Sequence, residues 1–422
     1  MIVELNEQEF NEYASKQDNS IFFQSSYWGK LKEETGWKYY LVGMKEDNEI
    51  KGVSILLAKK APVIGKYIFY SPRGYLIDYS DLDFVKKFSD GIIKFVKEHK
   101  GIFIKINPSV IYQERDVNGD IVENGFNNKK LVHFLQAEGY EHVGFTKVYG
   151  KDLEPRWISV LDLENKTYDE YRKGLRSTTR LNVNNSYKHG LKLVQIDNTR
   201  IPEFKKLMEH TGERRGFLDR PISYYERMYE VFGDDIKIML VELDVEDSIQ
   251  SYKDKKASLE KKLDRETAKE KVKESLVKEL TKQALAAEKK MAEMEKIKEE
   301  NGEKVVVAGG LFMTFGTQVV SLFGASYRQF MKYKGQYFLN DQMIRYAIEN
   351  GYKQYNFYGI TGEFNEDSPM FGLFDYKRGF GACVEELVGE FTYVTSPVYN
   401  KLYNVMFKAY RSIKDIKVKN KD

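Results

Sequence analysis

The sequence predicts a mixed α/β fold made of two similar units, with a long helical hairpin inserted into the second unit. Three observations support this prediction. Strand-like apolar runs separated by polar turns occur in both halves of the chain, and each set is followed by a helix-like run and then one more strand. Between two strands of the second half lies a charged segment without Gly or Pro. Strands and helices in this order make a sheet covered by helices.

The first unit contains three strands in WKYYLVGMKEDNEIKGVSILLAKK and YIFYSPRG, then the helix DFVKKFSDGIIKFVKEHK and the strand GIFIKINPS. The second unit repeats the order with IKIMLVEL, VVVAGGLFMTFG and VVSLFGAS, then the helix DQMIRYAIENG and the strand YKQYNFYGI. The repetition indicates an internal duplication.

An antiparallel meander followed by a helix and a strand is the layout of an N-acetyltransferase-like (GNAT) domain. We therefore expect an α/β (α+β) protein with GNAT-like domains at residues 1–150 and 151–395, and a final helix at residues 396–422 that packs back on the first domain. A cleft between the two domains is the expected ligand site.

The inserted segment, residues 247–302, is rich in Lys, Glu, Ala and Leu. Its apolar residues follow the alternating spacing of four and three that is typical of a coiled-coil seam: Leu280, Ala284, Ala287, Met291 and Met294. The flanking strands can pair only if their ends are close, so we expect an antiparallel hairpin with its turn near Ser275. Two interpretations of this segment remain, a spacer and a functional arm.

Composition limits the classes of function. The formal net charge of the 422 residues is only +3, which argues against a strong field directed at nucleic acid or membrane. The single cysteine, Cys383, excludes an intramolecular disulfide and fits a reducing compartment. Without a signal peptide or a membrane-spanning apolar run, a cytoplasmic protein is expected. The lysine-rich end KAYRSIKDIKVKNKD is interpreted as a solvated helix, or as a weak peripheral contact with the inner membrane face.

Several kinds of chemistry lack their motifs. The five His residues are scattered without HExxH or CxxC, and G-x-S-x-G and phosphate-binding loops are absent, so no metal or cofactor is expected. The pyrophosphate pattern R-x-x-G-x-G/A of acyl-CoA enzymes is approached only by the run from Arg378 to Cys383, which fails at its last small position. A CoA-dependent N-acyltransferase remains an alternative.

The run FGLFDYKRGFGA, residues 371–382, places Lys377 and Arg378 before Gly379 and Gly381. One interpretation is a glycine turn between strands with two solvated cations. The other is a backbone that approaches a ligand closely and a cation directed at developing negative charge.

Several stretches resemble one family. HTGERRGFLDRPISYYERMYE, residues 210–230, resembles the T-G-x-R-D-G-F segment of the Fem-type (FemABX) peptidoglycan bridge aminoacyltransferases. Further similar segments occur in order along almost the whole chain: SSYWGKLKEETGW, YSPRG, IKINPSV, LFGAS, YNFYGI and FDYKRGFGACVEELVGEF. Length and arm are most similar to the branch that acts on lipid II, which includes FemX-type and MurM-type enzymes.

The resemblance implies transfer of Gly, Ala or Ser from an aminoacyl-tRNA to an amine on the peptide stem of lipid II or of UDP-MurNAc-pentapeptide. Such a transfer requires positioning, a proton acceptor and stabilisation of a tetrahedral oxyanion. A non-catalytic scaffold that recruits partners through the arm is a further alternative.

The resemblance also implies roles for individual residues. Tyr376 and Lys377 match the aromatic–Lys pair of the family, whose Lys is thought to steady the tetrahedral intermediate. Lys38 and Arg214 match positions that hold the diphosphate of the precursor, and Arg suits phosphate because its planar fork donates two N–H groups at once. Thr211 belongs to the same motif as Arg214 and is expected to contact the substrate.

Two positions depart from the family pattern. Arg215 stands where relatives often have Asp, and Asn107 in IKINPSV stands at an expected substrate-binding position where relatives tend to have Asp. An amide cannot accept the proton of the attacking amine, so a water or a substrate carboxylate would have to do so. The expected tRNA contacts are basic residues that otherwise read as an exposed helix face: Arg172, Lys173, Arg176 and Arg180.

Overall fold

The computed structural model describes residues 1–62, 64–148 and 152–407. Its strands are β1 Ile2–Glu4, β2 Trp37–Glu46, β3 Glu49–Lys60, β4 Tyr67–Ser71, β5 Gly101–Ile106, β6 Ile111–Gln113, β7 Glu141–His142, β8 Trp157–Asp162, β9 Leu191–Gln195, β10 Ile236–Asp244, β11 Lys304–Met313, β12 Gln318–Ser326, β13 Gln354–Ile360, β14 Cys383–Leu387 and β15 Phe391–Val394. They form two sheets, sheet one in the order β1-β2-β3-β4-β5-β15-β7 and sheet two in the order β6-β14-β8-β13-β12-β11-β10-β9.

Helices cover the faces of both sheets. The α-helices are α1 Glu7–Ser15, α2 Ser26–Glu33, α3 Leu82–Glu98, α4 Lys129–Ala137, α5 Tyr168–Gly174, α6 Ser177–Tyr187, α7 Ile201–Arg215, α8 Ile222–Phe232, α9 Val245–Thr267, α10 Glu274–Asn301, α11 Gly335–Glu349 and α12 Phe371–Arg378. Short 3-10 helices occur at Phe22–Gln24, Asn198–Arg200, Gly233–Asp235 and Arg328–Tyr333.

Both units contain the element order that the sequence predicts. In sheet one, β2, β3 and β4 form an antiparallel meander, α3 follows, and β5 pairs with β4 in parallel. In sheet two, β10, β11 and β12 form the meander, α11 follows, and β13 pairs with β12 in parallel. The predicted α/β fold of two GNAT-like units is therefore confirmed.

One apolar core joins the two units. Phe22 and Trp28 of the first unit pack in the same cluster as Phe232 and Leu240 of the second. The rings of Phe22 and Phe232 lie edge to face, with their centroids 6.1 Å apart. Because large side chains of both units share this core, the junction between the sheets is held in a fixed arrangement.

The sheets also exchange short strands. β15, late in the chain, pairs with β5 and β7 of sheet one, and β6, early in the chain, pairs with β14 of sheet two. Main-chain pairing thus crosses the expected division into residues 1–150 and 151–395 in both directions. The division itself stays a prediction.

The inserted segment forms two long helices that run back along each other. Leu259 of α9 packs with Leu280 and Ala284 of α10, and Lys256 of α9 lies 3.2 Å from Glu288 of α10. The 28 residues of α10 span roughly 42 Å at 1.5 Å per residue. The turn lies at residues 268–273, and Ser275, expected near the turn, already belongs to α10.

The end of the described chain is helical over residues 397–407. The ring of Tyr403 lies 5.5 Å from the ring of Phe103 on β5, centroid to centroid. The rest of the expected final helix, with its lysine-rich run, lies outside the described residues. None of the helices in the described part of the chain combines the length and apolar character that crossing a membrane requires.

Candidate functional site

A small polar cavity lies where the segments that cross between the sheets meet. Its volume is about 10 Å³, which is room for about one water molecule. Its lining residues follow β4 and β5, precede β8, or connect β14 to β15: Arg73, Asn107, Pro108, Asp152, Glu154, Arg156, Leu387, Gly389 and Glu390. Five of these nine side chains carry a charge, so the centre of the junction is polar.

Asn107 directly follows β5 and is almost completely buried. Its Oδ1 accepts hydrogen bonds from the backbone N–H of Arg73 at 2.9 Å and from the hydroxyl of Tyr70 at 3.1 Å. Its Nδ2 is buried and has no hydrogen-bond partner in the described structure. Buried amide donors are nearly always satisfied, so this group can serve an acceptor atom that enters the cavity.

Glu154 is a carboxylate at the same cavity, and the hydroxyl of Tyr358 donates a hydrogen bond to it. Burial raises the pKa of Glu154 above its ordinary value, and the nearby positive charge of Arg73 opposes that rise. A carboxylate with a raised pKa is a better proton acceptor than an ordinary surface carboxylate.

Three ion pairs lie at or beside the cavity, and two of them join the two units. Glu386 of β14 accepts from Arg156 and from Arg115, each at 2.5 Å. Glu390 forms an ion pair with Lys105 of β5. Buried pairs of this kind are strongly destabilising to break, because the remaining charge is left uncompensated. We infer that these five residues hold the cavity together.

Lys377 lies in α12 and is only 7% exposed. Its Nζ donates to the backbone carbonyl of Gly359 at 2.7 Å and to that of Tyr358 at 3.2 Å. An ammonium has three donors, and the third has no partner among the described residues. Burial lowers the pKa of Lys377 to about 7. The interpretation of Lys377 as a solvated surface cation is therefore wrong.

Tyr358 connects Lys377 to the cavity. The register of β13 against β8 shifts between Asn356 and Gly359, and Tyr358 takes a left-handed φ of 64° at this bulge. Its carbonyl receives the Lys377 Nζ–H, while its hydroxyl reaches Glu154. Lys377 itself does not line the cavity. The two groups are coupled through one residue and do not touch.

The two glycines after Lys377 have different surroundings. A Cβ on Gly379 would lie 2.2 Å from the Thr179 hydroxyl of α6, and the carbonyl of Gly379 accepts from the N–H of Arg176. The close backbone approach at Gly379 is therefore to the protein's own α6. Gly381 has a φ of 85°, which favours glycine for conformational reasons.

Tyr376 points away from Lys377 Nζ. Its hydroxyl donates to the carbonyl of Gln336 at 3.0 Å and accepts from Nδ2 of Asn340 at 2.9 Å. Burial raises the pKa of Tyr376 well above its ordinary value. These contacts join α12 to α11 and do not bring Tyr376 to the cavity; a catalytic role for it stays a prediction.

The expected substrate-binding residues are spread around the junction. Lys38 is exposed on β2, with its Nζ 5.8 Å from the centroid of the Tyr67 ring. Thr211 is buried; its hydroxyl donates to Leu207 at 2.9 Å and accepts from the N–H of Ser326 at 3.2 Å, so it fastens α7 to β12. In this structure Thr211 makes structural contacts.

Arg214 occupies the last turn of α7 and is partly buried. Its Nε has no hydrogen-bond partner in the described structure, and no carboxylate there lies within ion-pair distance of it. Burial and the charges of Arg215 and Arg328 lower its pKa. An unpaired guanidinium beside other cations suits an anionic ligand.

Three of the four expected tRNA contacts have partners within the chain. Arg172 pairs with the buried Asp341 at 2.9 Å, and Arg176 pairs with Asp375 at 2.7 Å. Arg180 donates to the carbonyls of residues 173 and 175. Lys173 is exposed on α5. Since the paired guanidiniums would have to leave their carboxylates, tRNA contact by these residues stays a prediction.

The described residues contain no group of His, Cys, Asp or Glu arranged to hold a metal ion. Sequence reasoning missed three residues that line the cavity, Arg73, Glu154 and Arg156. It also missed Tyr358, which connects Lys377 to Glu154. Arg73 and Tyr358 lie inside the quoted segments YSPRG and YNFYGI, but nothing in those segments marks a side chain that reaches a cavity. Glu154 lies in DLEPRW, which carries no motif.

Fold and site together define a protein of two GNAT-like units with a buried Lys beside their junction. The sequence matches the FemAB family over residues 5–408, and the chain belongs to that family. The predicted membership of the Fem-type family is therefore confirmed, and so is the predicted enzyme class, aminoacyltransferase.

Two curated relatives and one solved structure illustrate the likeness. The chain is 30% identical over 417 residues to "Aminoacyltransferase FemB" of Staphylococcus epidermidis, covering 97% of this chain and 99% of the relative. It is 31% identical over 420 residues to "Aminoacyltransferase FemA" of the same species, covering 98% and 99%. The crystal structure of FemX superimposes with a TM-score of 0.79 at 27% identity, covering 96% of this chain and all of that one.

Proposed function

We propose that this chain transfers an amino acid from an aminoacyl-tRNA to an amine on the peptide stem of a peptidoglycan precursor, and so builds an interpeptide bridge. The proposed acceptor is lipid II, with UDP-MurNAc-pentapeptide as the soluble alternative, and the proposed residue is Gly, Ala or Ser. Such a protein would work in the cytoplasm and contact the inner membrane face peripherally.

The buried ammonium of Lys377 carries this proposal. The acceptor nitrogen attacks the ester carbonyl carbon, an N–C bond forms, and the carbonyl oxygen becomes an oxyanion. The one donor of Lys377 that has no partner in the described structure can then bind that oxyanion. In a site that excludes water such a charge stabilises the transition state far more than it would in solvent.

The proton of the attacking amine needs an acceptor, and Asn107 cannot provide one. Glu154 lines the same cavity as Asn107 and has a raised pKa. We assign the acceptor role to Glu154. The C–O bond to the tRNA ribose then breaks, and the proton is returned to the departing ribose oxygen.

Diphosphate binding is assigned to Arg214 and Lys38. Arg214 has no carboxylate partner in the described structure, and Lys38 is exposed, so both cations are available to an anion.

The test offers the purified protein a mixture of charged tRNAs together with lipid II, and weighs the product by mass spectrometry. We expect lipid II to gain the mass of one amino acid only when charged tRNA is present. A parallel reaction with UDP-MurNAc-pentapeptide compares the two acceptors. Transfer from acyl-CoA without transfer from any charged tRNA would contradict the proposal.

A further inference from the structure

The loop between α7 and α8, residues 216–220, holds apolar side chains outside the fold. Leu218 is 99% exposed and Phe217 is 45% exposed. Isolated exposed apolar residues are common on folded proteins, so exposure alone does not indicate a partner.

The loop is anchored on both sides of its tip. Gly216 ends α7 in the left-handed conformation, with a φ of 76°. On the other side, Lys205 Nζ donates to Asp219 at 2.6 Å and to the carbonyl of Arg220 at 2.7 Å, and the hydroxyl of Tyr225 donates to Asp219 at 2.6 Å. Since Asp219 is tied down in this way, the adjacent Leu218 is held in an outward position.

Cations lie beside the loop. Arg214 and Arg215 directly precede it, and Arg328 is close enough to affect the pKa of Arg214. None of these three arginines forms an ion pair within the described structure. Glu213 in the same helical turn is exposed and offsets one of these charges. The surface around Leu218 therefore combines a projecting leucine and a half-exposed phenylalanine with a net positive charge.

We propose that the 216–220 loop docks on an anionic lipid bilayer, with Leu218 and Phe217 entering the boundary between headgroups and acyl chains. An apolar tip flanked by arginines matches such a surface, because the side chains bury apolar area while the guanidiniums meet lipid phosphates. The charge complementarity favours a membrane over a neutral protein partner.

The consequence for the substrate rests on the proposed function. Arg214, assigned to the diphosphate, lies two residues before the loop in the last turn of α7. Docking would bring this cation to the depth at which the diphosphate of a membrane-anchored precursor lies. Docking would then favour the lipid-linked precursor over the soluble nucleotide as the acceptor.

The first experiment measures binding to sedimenting vesicles, with no substrate present. The wild-type protein is expected to bind vesicles of phosphatidylglycerol and phosphatidylcholine, and to bind phosphatidylcholine alone weakly. Leu218→Asp is expected to weaken binding at least about tenfold, since it removes the apolar anchor and adds a negative charge. Leu285→Asp, at a 54% exposed leucine of the arm, is the matched control and should bind like wild type.

Two further variants refine the test. Arg215→Gln should weaken binding about fivefold and reduce its dependence on ionic strength. In Leu218→Trp, the new indole should shift its emission to shorter wavelength when anionic vesicles are added. Neither substitution removes a buried group, so both proteins should melt like wild type.

Equal vesicle binding by wild type and Leu218→Asp would overturn the inference, and so would equal weakening by Leu285→Asp. Binding to no vesicle at all would also overturn it and would direct attention to a protein partner. If Leu218→Asp loses vesicle binding but still modifies UDP-MurNAc-pentapeptide, the docking surface and the activity are both supported. Failure of transfer to either acceptor by wild type, with vesicle binding intact, refutes the proposed function alone.

Discussion

The two units share one order of elements, yet their central parallel strand pairs end differently. All five residues of β4 pair with β5, and the chain passes directly from β5 into Asn107. In the second unit β12 and β13 pair only from Gln318 to Val320 and from Gln354 to Asn356, after which β13 bulges at Tyr358. The bulge leaves two carbonyls for Lys377. The first unit thus supplies Asn107 at the end of a strand that is paired up to its last residue. The second unit supplies a bulged strand, two carbonyls of which bind the ammonium of Lys377.

The two copies of the duplicated unit therefore do different things: the first positions hydrogen-bonding groups, and the second holds a buried cation. The β4–β5 pair stays in register from Ile68 to its end at Ser71, and such a pair positions hydrogen-bonding groups rigidly, as it does for Asn107 and Arg73. An interrupted strand exposes main-chain acceptors that are otherwise used in the sheet, and these acceptors hold a buried ammonium that would be costly without them.

Removing the cation of the second unit should have the largest effect. Lys377→Ala is expected to lower the single-turnover transfer rate by about 10²- to 10³-fold, because the oxyanion loses its partner. The adjacent Arg378→Ala is the matched control, since Arg378 pairs with Asp375. Rapid-quench measurement with charged tRNA decides the matter, and equal rates for Lys377→Ala and wild type would refute the mechanism.

Removing the proposed proton acceptor should have the next largest effect. Glu154→Gln is expected to lower the transfer rate by about 10²-fold. Glu385→Gln is the control, because burial also raises the pKa of Glu385, to about 7, although Glu385 does not line the cavity. If both substitutions cost the same, a general loss of buried charge explains the result and the assignment of Glu154 fails.

The pH dependence of the transfer rate should reflect the titration of both Lys377 and Glu154. Lys377 carries its charge below a pKa of about 7, so the rate should fall as pH rises above about 7, approaching tenfold per pH unit. Glu154 must be ionised, so the rate should also fall on the acid side, and the profile is a bell. Lys377→Arg should lose the alkaline fall, because a guanidinium stays charged there. A profile that only rises with pH would contradict the assignment of Lys377.

The lowered pKa of Lys377 also makes the free energy of unfolding depend on pH. Between a folded pKa of about 7 and the ordinary value of 10.5, the unfolded chain binds a proton at Lys377 that the folded chain does not. Stability from this residue therefore increases with pH over that window and is at its lowest, constant level below pH 7. Denaturant titrations of wild type and Lys377→Met at pH 6 and pH 9 should show the larger gain with pH in wild type.

Substitution of Asn107, in the first unit, should change the transfer rate least. Asn107→Ala is expected to slow transfer by about fivefold, the value of one hydrogen bond. Asn107→Asp should restore about tenfold of the activity lost in Glu154→Gln, because it places a carboxylate in the same cavity. Steady-state rates of the single and double variants measure this, and a double variant no faster than Glu154→Gln would show that the two positions do not share a substrate.

The sequence predicted the fold well where apolar spacing decides structure. The meanders, the helices α3 and α11 and the two arm helices follow from local periodicity, which requires no knowledge of partners. The exchange of β6 and β15 was not predicted, because strands of three and four residues carry too little pattern and their pairing joins residues far apart in the chain.

The site was predicted only in part. The likeness of FDYKRGFGA to a family segment singled out Lys377, and the structure shows it buried with two carbonyl partners. Glu154 and Tyr358 were missed, because a carboxylate gains its raised pKa from neighbours that come from other segments. Arg172 and Arg176 read as an exposed basic face, since no sequence pattern reveals that Asp341 and Asp375 fold against them.

β15 pairs in sheet one and β6 pairs in sheet two, so each half of the chain donates a strand to the sheet of the other half. A gene fragment that encodes either half would lack a strand that only the other half can donate, and would leave an open edge in its sheet. We therefore expect heat to melt the body in a single step. Any ancestor that carried one unit must have closed that edge by another means, such as pairing with a second copy of itself.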